Sequence, residues 1–274
     1  MSIERFVPAY GWLRSYERGD LRKDLISALI ITALLVPQGM AYALLAGLPP
    51  RYGLYASTVP AIVYALFGTS RHMPVGPPAL MALLTFTSAS VLAEPGTSEY
   101  ISLALLLALM VGVLQLVIGL LRMGFVTNFI SRPALSGFIF ASAIVIMLTQ
   151  AGNLLGVPSE SYSTIGAVAG VWRNVGEANL PTVALGAASI AAMLVMAKVF
   201  PRLPAALVVV AASAVAVYFL GLDERGVEIV GEVPRGLPAL SVPVFEFEMM
   251  RSLATSAVIV AFVGFVESIS VAKA

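Results

Sequence analysis

Eight apolar runs set the limits on what this chain can fold into. They lie near residues 24–46, 52–68, 76–92, 100–121, 134–150, 181–200, 204–221 and 252–272. A helix needs about 20 mainly apolar residues to cross the hydrocarbon core of a bilayer, and these runs approach or reach that length. Lipid offers backbone N–H and C=O groups no partner, so spanning segments of this kind pair internally as helices. Charged residues make up only 11% of the 274, against roughly 25% in soluble domains. The expected fold class is an all-α polytopic membrane protein.

Several function classes drop out. With no cysteine, disulfides and thiolate metal sites are impossible. A net charge of +1 and the lack of a basic cluster argue against nucleic acid as a partner. The sequence has no nucleotide-binding motif, metal-ligand cluster or nucleophile elbow, so neither an enzyme nor a cofactor is expected. The lone His72 falls in a short polar loop and reads as solvated. Residues 1–23 set Phe6, Tyr10, Trp12, Leu13 and Tyr16 among charges, the pattern of a helix lying at a membrane surface. Arg14, Arg18, Arg22 and Lys23 precede the first run with no cleavage-site pattern after it, so that run is expected to act as its own insertion signal.

Orientation follows from the basic residues, which favour the cytoplasmic side. With the N-terminus inside, Arg5, Arg14, Arg18, Arg22, Lys23, Arg71, Arg122, Arg132, Lys198, Arg202 and Lys273 are cytoplasmic. Arg51, Arg173, Arg225, Arg235 and Arg251 fall outside, along with ten acids from Glu94 to Glu248. The opposite orientation reverses every loop. A cytoplasmic N-terminus in a plasma membrane of bacterial inner-membrane type is therefore expected. Two connections are long. Residues 151–180 are rich in small and polar residues, and 222–251 hold many acids with Pro234, Pro238 and Pro243. Both are expected outside, as loops or short surface helices.

The third run is broken. Pro74 disfavours regular helix just before it, and Gly76-Pro77-Pro78 follows. Extended chain from Arg71 to Pro77 covers up to about 20 Å, and a helix from Pro77 to Leu92 adds about 24 Å. Against a hydrocarbon core of ~30 Å, such a helix starts inside the bilayer. Its first N–H groups then have no helical acceptor. Prolines 77 and 78 remove two donors, and Ala79 and Leu80 keep theirs. The positive end of the helix dipole favours an anion there. The competing reading is a proline-capped end packed against its neighbours.

Two further features sit within apolar runs. Val36-Pro37-Gln38-Gly39-Met40 interrupts the first run. Gln38 is costly in lipid and should face protein or water. Tyr42, four residues on, shares its face. Glu267 is the one acid inside an apolar run, and an intramembrane carboxylate is a functional candidate, here a proton carrier. The alternatives are a hydrogen bond from Gln38 to a neighbouring helix and a structural or water-facing role for Glu267.

Pro50-x-Tyr52-Gly53-Leu54-Tyr55-Ala56-Ser57, then Ile62-Val63-Tyr64 and Gly68-Thr69-Ser70-Arg71, resembles the signature of the SulP anion transporters. This family comprises sulfate permeases, bicarbonate and dicarboxylate carriers, pendrin and prestin. The blocks Val36–Tyr42 and Gly264–Ser268 also look like family blocks. The resemblance implies fourteen spans in two inverted seven-span repeats, as in uracil transporters. An anion would sit between the half-helices of spans three and ten, carried by an elevator-like movement of a core domain against a gate domain. Gln38 and Tyr42 match residues lining that site. Pro78 falls where prestin-like members carry Phe. Glu267 matches a span-eight acid linked to proton coupling.

By this resemblance, 24–221 would be spans one to seven, 222–251 an extracytoplasmic loop, and 252–274 span eight. The later spans and the STAS domain would lie beyond the chain, which reads as an N-terminal fragment. The implied function is secondary active, proton-coupled transport of a small anion of the sulfate, bicarbonate or dicarboxylate class. The full protein would be a homodimer. An anion channel, or a non-transporting membrane motor or scaffold of the same fold, are the alternatives.

Overall fold

The structure, a computed structural model, describes residues 7–70, 75–124, 132–157, 164–201, 203–229 and 245–273. Every regular element among them is helical. In order these are α1 Ala9–Arg14, α2 Arg18–Leu45, α3 Pro50–Phe67, α4 Ala79–Ala89, α5 Ser98–Leu120, α6 Arg132–Leu155, α7 Thr164–Asn174, α8 Leu180–Val199, α9 Ala205–Leu220 and α10 Phe247–Lys273. All eight apolar runs lie on helices. By length and composition, helices at Arg18–Leu45, Ser98–Leu120, Leu180–Val199 and Phe247–Ile269 can each cross a membrane. Large apolar side chains are exposed along them, with Leu29 at 72% and Leu120 at 74%. Water would not tolerate so many, and lipid does. The expectations for Arg5, Arg71, His72, Pro74, Glu160, Arg202, Glu232, Arg235 and prolines 234, 238 and 243 lie outside the described residues.

Helix ends depart from the apolar runs because caps, not hydropathy, terminate helices. Glu17 and Asp20 form a capping box, the Glu17 N–H donating to Asp20 Oδ2 at 3.4 Å. So α2 starts at Arg18, and the 23-residue lead-in divides into the short α1 and the first turn and a half of α2. Thr97 Oγ1 accepts the Tyr100 N–H at 3.2 Å and starts α5. Asn179 Oδ1 accepts the Thr182 N–H at 3.0 Å and starts α8, with Pro181 in its first turn. Helix α10 begins at Phe247, five residues ahead of the apolar run. The connection expected at 151–180 holds the end of α6, all of α7 and a 3-10 turn at Val175–Glu177.

The chain divides into two units. The first comprises Met1–Asp24, Leu35–Ile139 and Pro234–Ala274. Its core is Ala89, Tyr100, Leu103, Leu106, Leu107, Leu253 and Ala257, which joins the end of α4, the start of α5 and the start of α10. Further along, Gln115 Nε2 of α5 donates to the Ala261 carbonyl of α10 at 3.3 Å. Leu253 and Ala257 thus meet the start of α5 while Ala261 meets its later turns, so α5 and α10 run parallel. The loops at the core end are tied together. Tyr100 Oη donates to the Ala46 carbonyl at 2.6 Å, and the Gly96 N–H to the Gly47 carbonyl at 3.1 Å. Gly47 has φ +72, and a Cβ there would lie 2.7 Å from Tyr100 Oη, so only glycine fits.

The second unit comprises Leu25–Leu34 and Phe140–Val233. In it Asn179 bonds both ways, its N–H to the Leu155 carbonyl and its Nδ2 to the Arg225 carbonyl at 2.9 Å. Ser189 of α8 and Ser213 of α9 meet at 3.0 Å. Helix α9 ends at Gly221, whose φ of 57° is left-handed.

Candidate functional site

The site begins with the crossing of α2 and α3. Gly39 and Gly53 meet backbone to backbone. A Cβ on Gly53 would overlap the Gly39 carbonyl, and one on Gly39 would lie 2.5 Å from Ser57 Oγ. Buried Ser57 donates to the Gly53 carbonyl at 2.7 Å, satisfying its hydroxyl within its own helix. Leu35, Gln38 and Tyr42, spaced by three and four, form a stripe of α2 adjacent to this crossing. Gln38 Nε2 donates to Tyr42 Oη at 3.1 Å. The two predicted residues are therefore brought together, bonded to each other rather than to a neighbouring helix.

The chain approaching α4 lies on that stripe. Residues 75–78 are not helical. A Cβ at Gly76 would come within 2.9 Å of Leu35 Cδ1, so Gly76 packs directly on the turn before Gln38. Pro78 is extended, at φ −86 and ψ 147, and offers no capping side chain. The first helical bond runs from the Ala82 N–H to the Pro78 carbonyl at 3.1 Å. The donors ahead of it belong to Ala79, Leu80 and Met81.

This corrects the expected boundaries. The helix spans Ala79–Ala89, 11 residues, about 17 Å, instead of 77–92. It starts later because both prolines precede it, Pro78 being held extended. It ends sooner because Ser90 closes its last turn. Pro78 is thus the cap, and Met81 joins Ala79 and Leu80 as a donor. Placing the start at Pro77 hid the Met81 N–H from the sequence reading.

The first turn of α4 also touches α10. A Cβ on Gly264 would lie 2.8 Å from Gln115 Nε2 and 3.5 Å from Met81 Sδ. The end of α4 meets the start of α10 in the core, so α4 runs antiparallel to α5 and α10. Its N-terminus lies beside Gln115 and Gly264. Helix α5 runs on for about 8 Å beyond Gln115, and α10 for about 13 Å beyond Gly264. The α4 terminus is accordingly inside the bundle, short of the ends of both neighbours. Glu267 stands one turn beyond Gly264, and its Oε2 is enclosed with no hydrogen-bond partner among the described residues. Gln115 was not singled out from sequence, and Gly264 entered only as the first residue of a family block, with no partner assigned. A lone glutamine and a lone glycine in apolar helices carry no local signal of their partners.

A cavity of about 480 Å³ opens at the end of α3, lined by Pro60, Val63, Tyr64, Phe67, Gly68, Thr69 and Val75. Its walls are mostly apolar and do not include Gln38. In the second unit, Gln150, Asn153, Thr182, Ser189 and Ser213 line a cavity of about 290 Å³ that holds no charged residue.

The sequence matches the sulfate permease family over residues 21–274. A probable sulfate transporter of Mycobacterium tuberculosis is 35% identical over 274 residues, covering 100% of this chain and 49% of that protein. The chain thus spans about half the length of this relative. The structure of SLC26A9 is similar with a TM-score of 0.86 at 24% identity, over 99% of this chain and 46% of that one. The transmembrane domain of the cyanobacterial bicarbonate transporter BicA is similar with a TM-score of 0.79 at 23% identity, over 92% of this chain and 64% of that one. At these identities the two structures establish the fold, an all-α polytopic membrane architecture of which this chain holds a part.

Proposed function

The chain belongs to the sulfate permease family, and from that premise we propose that it carries one half of the substrate site of a secondary active transporter for small anions. The substrate class is sulfate, bicarbonate or a dicarboxylate. The observation that carries this reading is the start of α4. It lies short of the ends of α5 and α10, and the chain leading to it packs on Leu35, one turn before the Gln38–Tyr42 pair.

Three consecutive N–H groups at a positive helix end form a compact receptor for an oxyanion. Low local dielectric strengthens each such bond relative to water. Gln38 Nε2 and Tyr42 Oη add neutral donors, so among the described residues this half of the site carries no fixed cation to trap the ion. Discontinuous helices serve secondary transporters in this way, with the other half of the site supplied by a second repeat. Glu267 is placed to hold the coupling proton. When ionised it competes with the substrate for the positive helix end, and when protonated it does not. Alternating access is then an elevator-like movement of the α4-bearing unit in the complete protein, a homodimer with its N-terminus in the cytoplasm of a bacterium.

The test is uptake of labelled sulfate, bicarbonate and succinate by the full-length gene product in proteoliposomes, with and without an inward proton gradient. Saturable uptake of at least one anion, stimulated by the gradient, is expected. Absence of saturable uptake for all of them would overturn the assignment.

A further inference from the structure

The charges at the start of α2 are sorted by face. Arg18, Leu21 and Arg22 are spaced by three and four, so they form one exposed stripe. Asp20 and Asp24 lie on another stripe, roughly 130° round the helix at about 100° per residue. Lys23 falls on neither.

The two faces differ in what they are bonded to. Asp20 accepts the Glu17 N–H in the capping box. Asp24 Oδ2 accepts the Tyr16 hydroxyl at 2.6 Å. That bond pushes the Tyr16 pKa up to about 12, so the link holds through the physiological range. It also ties the end of the lead-in back onto α2. The acids are thereby engaged in local structure. The guanidiniums of Arg18 and Arg22 form no ion pair or hydrogen bond with another described residue. Arg14, at the end of α1, lies with its guanidinium 5.7 Å from the Tyr10 ring centre and is likewise exposed. Leu21, 48% exposed between the two arginines, gives the stripe an apolar element that a purely aqueous partner would leave wet. The apolar length of α2 follows at once, which sets these guanidiniums at the headgroup level of whichever leaflet they face.

We propose that Arg18 and Arg22, with Leu21 between, form a docking stripe for anionic phospholipid headgroups. Guanidinium forks suit phosphate oxygens, and Leu21 suits the upper acyl chain. Asp24 bonded to Tyr16 and Asp20 bonded at the helix cap are held out of ion pairs with Arg18 and Arg22, whose guanidiniums stay available to a phosphate. An acidic protein partner would find the same cations, but the leucine and the adjoining span favour lipid.

Trp12, packed edge-on against Tyr16 at 5.8 Å, is a built-in reporter. It is one of two tryptophans in the chain. With Trp172→Phe it becomes the sole indole, and the chain is placed in phosphatidylcholine nanodiscs carrying brominated phosphatidylglycerol or brominated phosphatidylcholine at equal fraction. Trp12 quenching should report a preference of at least about fivefold for the anionic lipid, since each arginine near such a surface contributes about that factor. The double substitution Arg18→Gln, Arg22→Gln should abolish the preference while leaving quenching by brominated phosphatidylcholine unchanged, which checks that the lead-in still lies at the membrane. Lys23→Gln should keep it. Equal quenching by the two lipids in the parent would overturn the proposal and leave an acidic protein as the partner to seek. Loss of the preference in Lys23→Gln as complete as in the double variant would overturn it in favour of diffuse charge.

Discussion

Single residues carry two separable burdens in the first unit. Tyr100 is fully buried, and its hydroxyl satisfies a carbonyl in the turn between α2 and α3. Tyr100→Phe keeps the ring and strands that carbonyl. Leaving one buried acceptor unpaired costs about 1–3 kcal/mol, so a drop in thermal stability with unchanged substrate affinity is expected from fluorescence melts. A shift in affinity without loss of stability would contradict this assignment. Gln38 carries the other burden. In the proposed site Gln38→Ala removes one donor to the anion, a loss of about 1.5–3 kcal/mol. The KM of the full-length gene product should therefore rise by about tenfold or more, with little change in melting temperature. An unaltered KM would take Gln38 out of the site. Gln38 was visible in the sequence as a costly polar group in an apolar run, whereas nothing in the sequence singled out Tyr100. Only the structure separates their roles, since the Tyr100–Ala46 bond joins residues 54 apart.

Elements were legible in part. Hydropathy located every apolar run that the structure makes helical, because burial in lipid and helix formation impose the same pattern. It misplaced their ends, because Thr97, Asn179, Pro78 and the Glu17–Asp20 box act through single hydrogen bonds or backbone angles. Helix α4 shows the consequence. Its broken start was readable from Gly76-Pro77-Pro78, while its length, and therefore the donor at Met81, was not. The joint that holds this start was invisible, since the Gly264 notch pairs α10 with Gln115 and Met81 from two other helices. Gly264→Ala pushes on the Gln115 amide at 2.8 Å and fills the space up to Met81 Sδ. Displacing a positioned donor by a fraction of an ångström weakens every bond it makes. The variant should raise KM in uptake assays while its far-UV circular dichroism stays helical. Unchanged KM in a folded variant would show that the notch does not set the position of α4.

At the scale of the whole molecule, the family and fold are firm, and the chain supplies about half the length of its sulfate-transporter relative. In the proposed reading a single repeat offers half a site, and the proton and the anion meet within the complete protein. Glu267 links the two in this account. Glu267→Gln mimics the protonated form permanently. Gradient-driven accumulation should vanish while exchange at equal pH persists, as read from uptake with and without a proton gradient. Accumulation that still follows the gradient would remove Glu267 from coupling. The pairing of α4 with α10 was the part of this scheme least readable from residues, because the sequence separates them by more than 150 positions.

The central claim is that the three leading N–H groups of α4 hold the anion, and amide resonances test it directly. The full-length gene product is labelled at alanine, leucine and methionine nitrogen and titrated with sulfate, bicarbonate or succinate, whichever it transports. The account predicts saturable shifts of the Ala79, Leu80 and Met81 amides with one common affinity, while the amides of Leu103 and Leu106 in α5 stay still. Saturation of transport with those three resonances unmoved would contradict it.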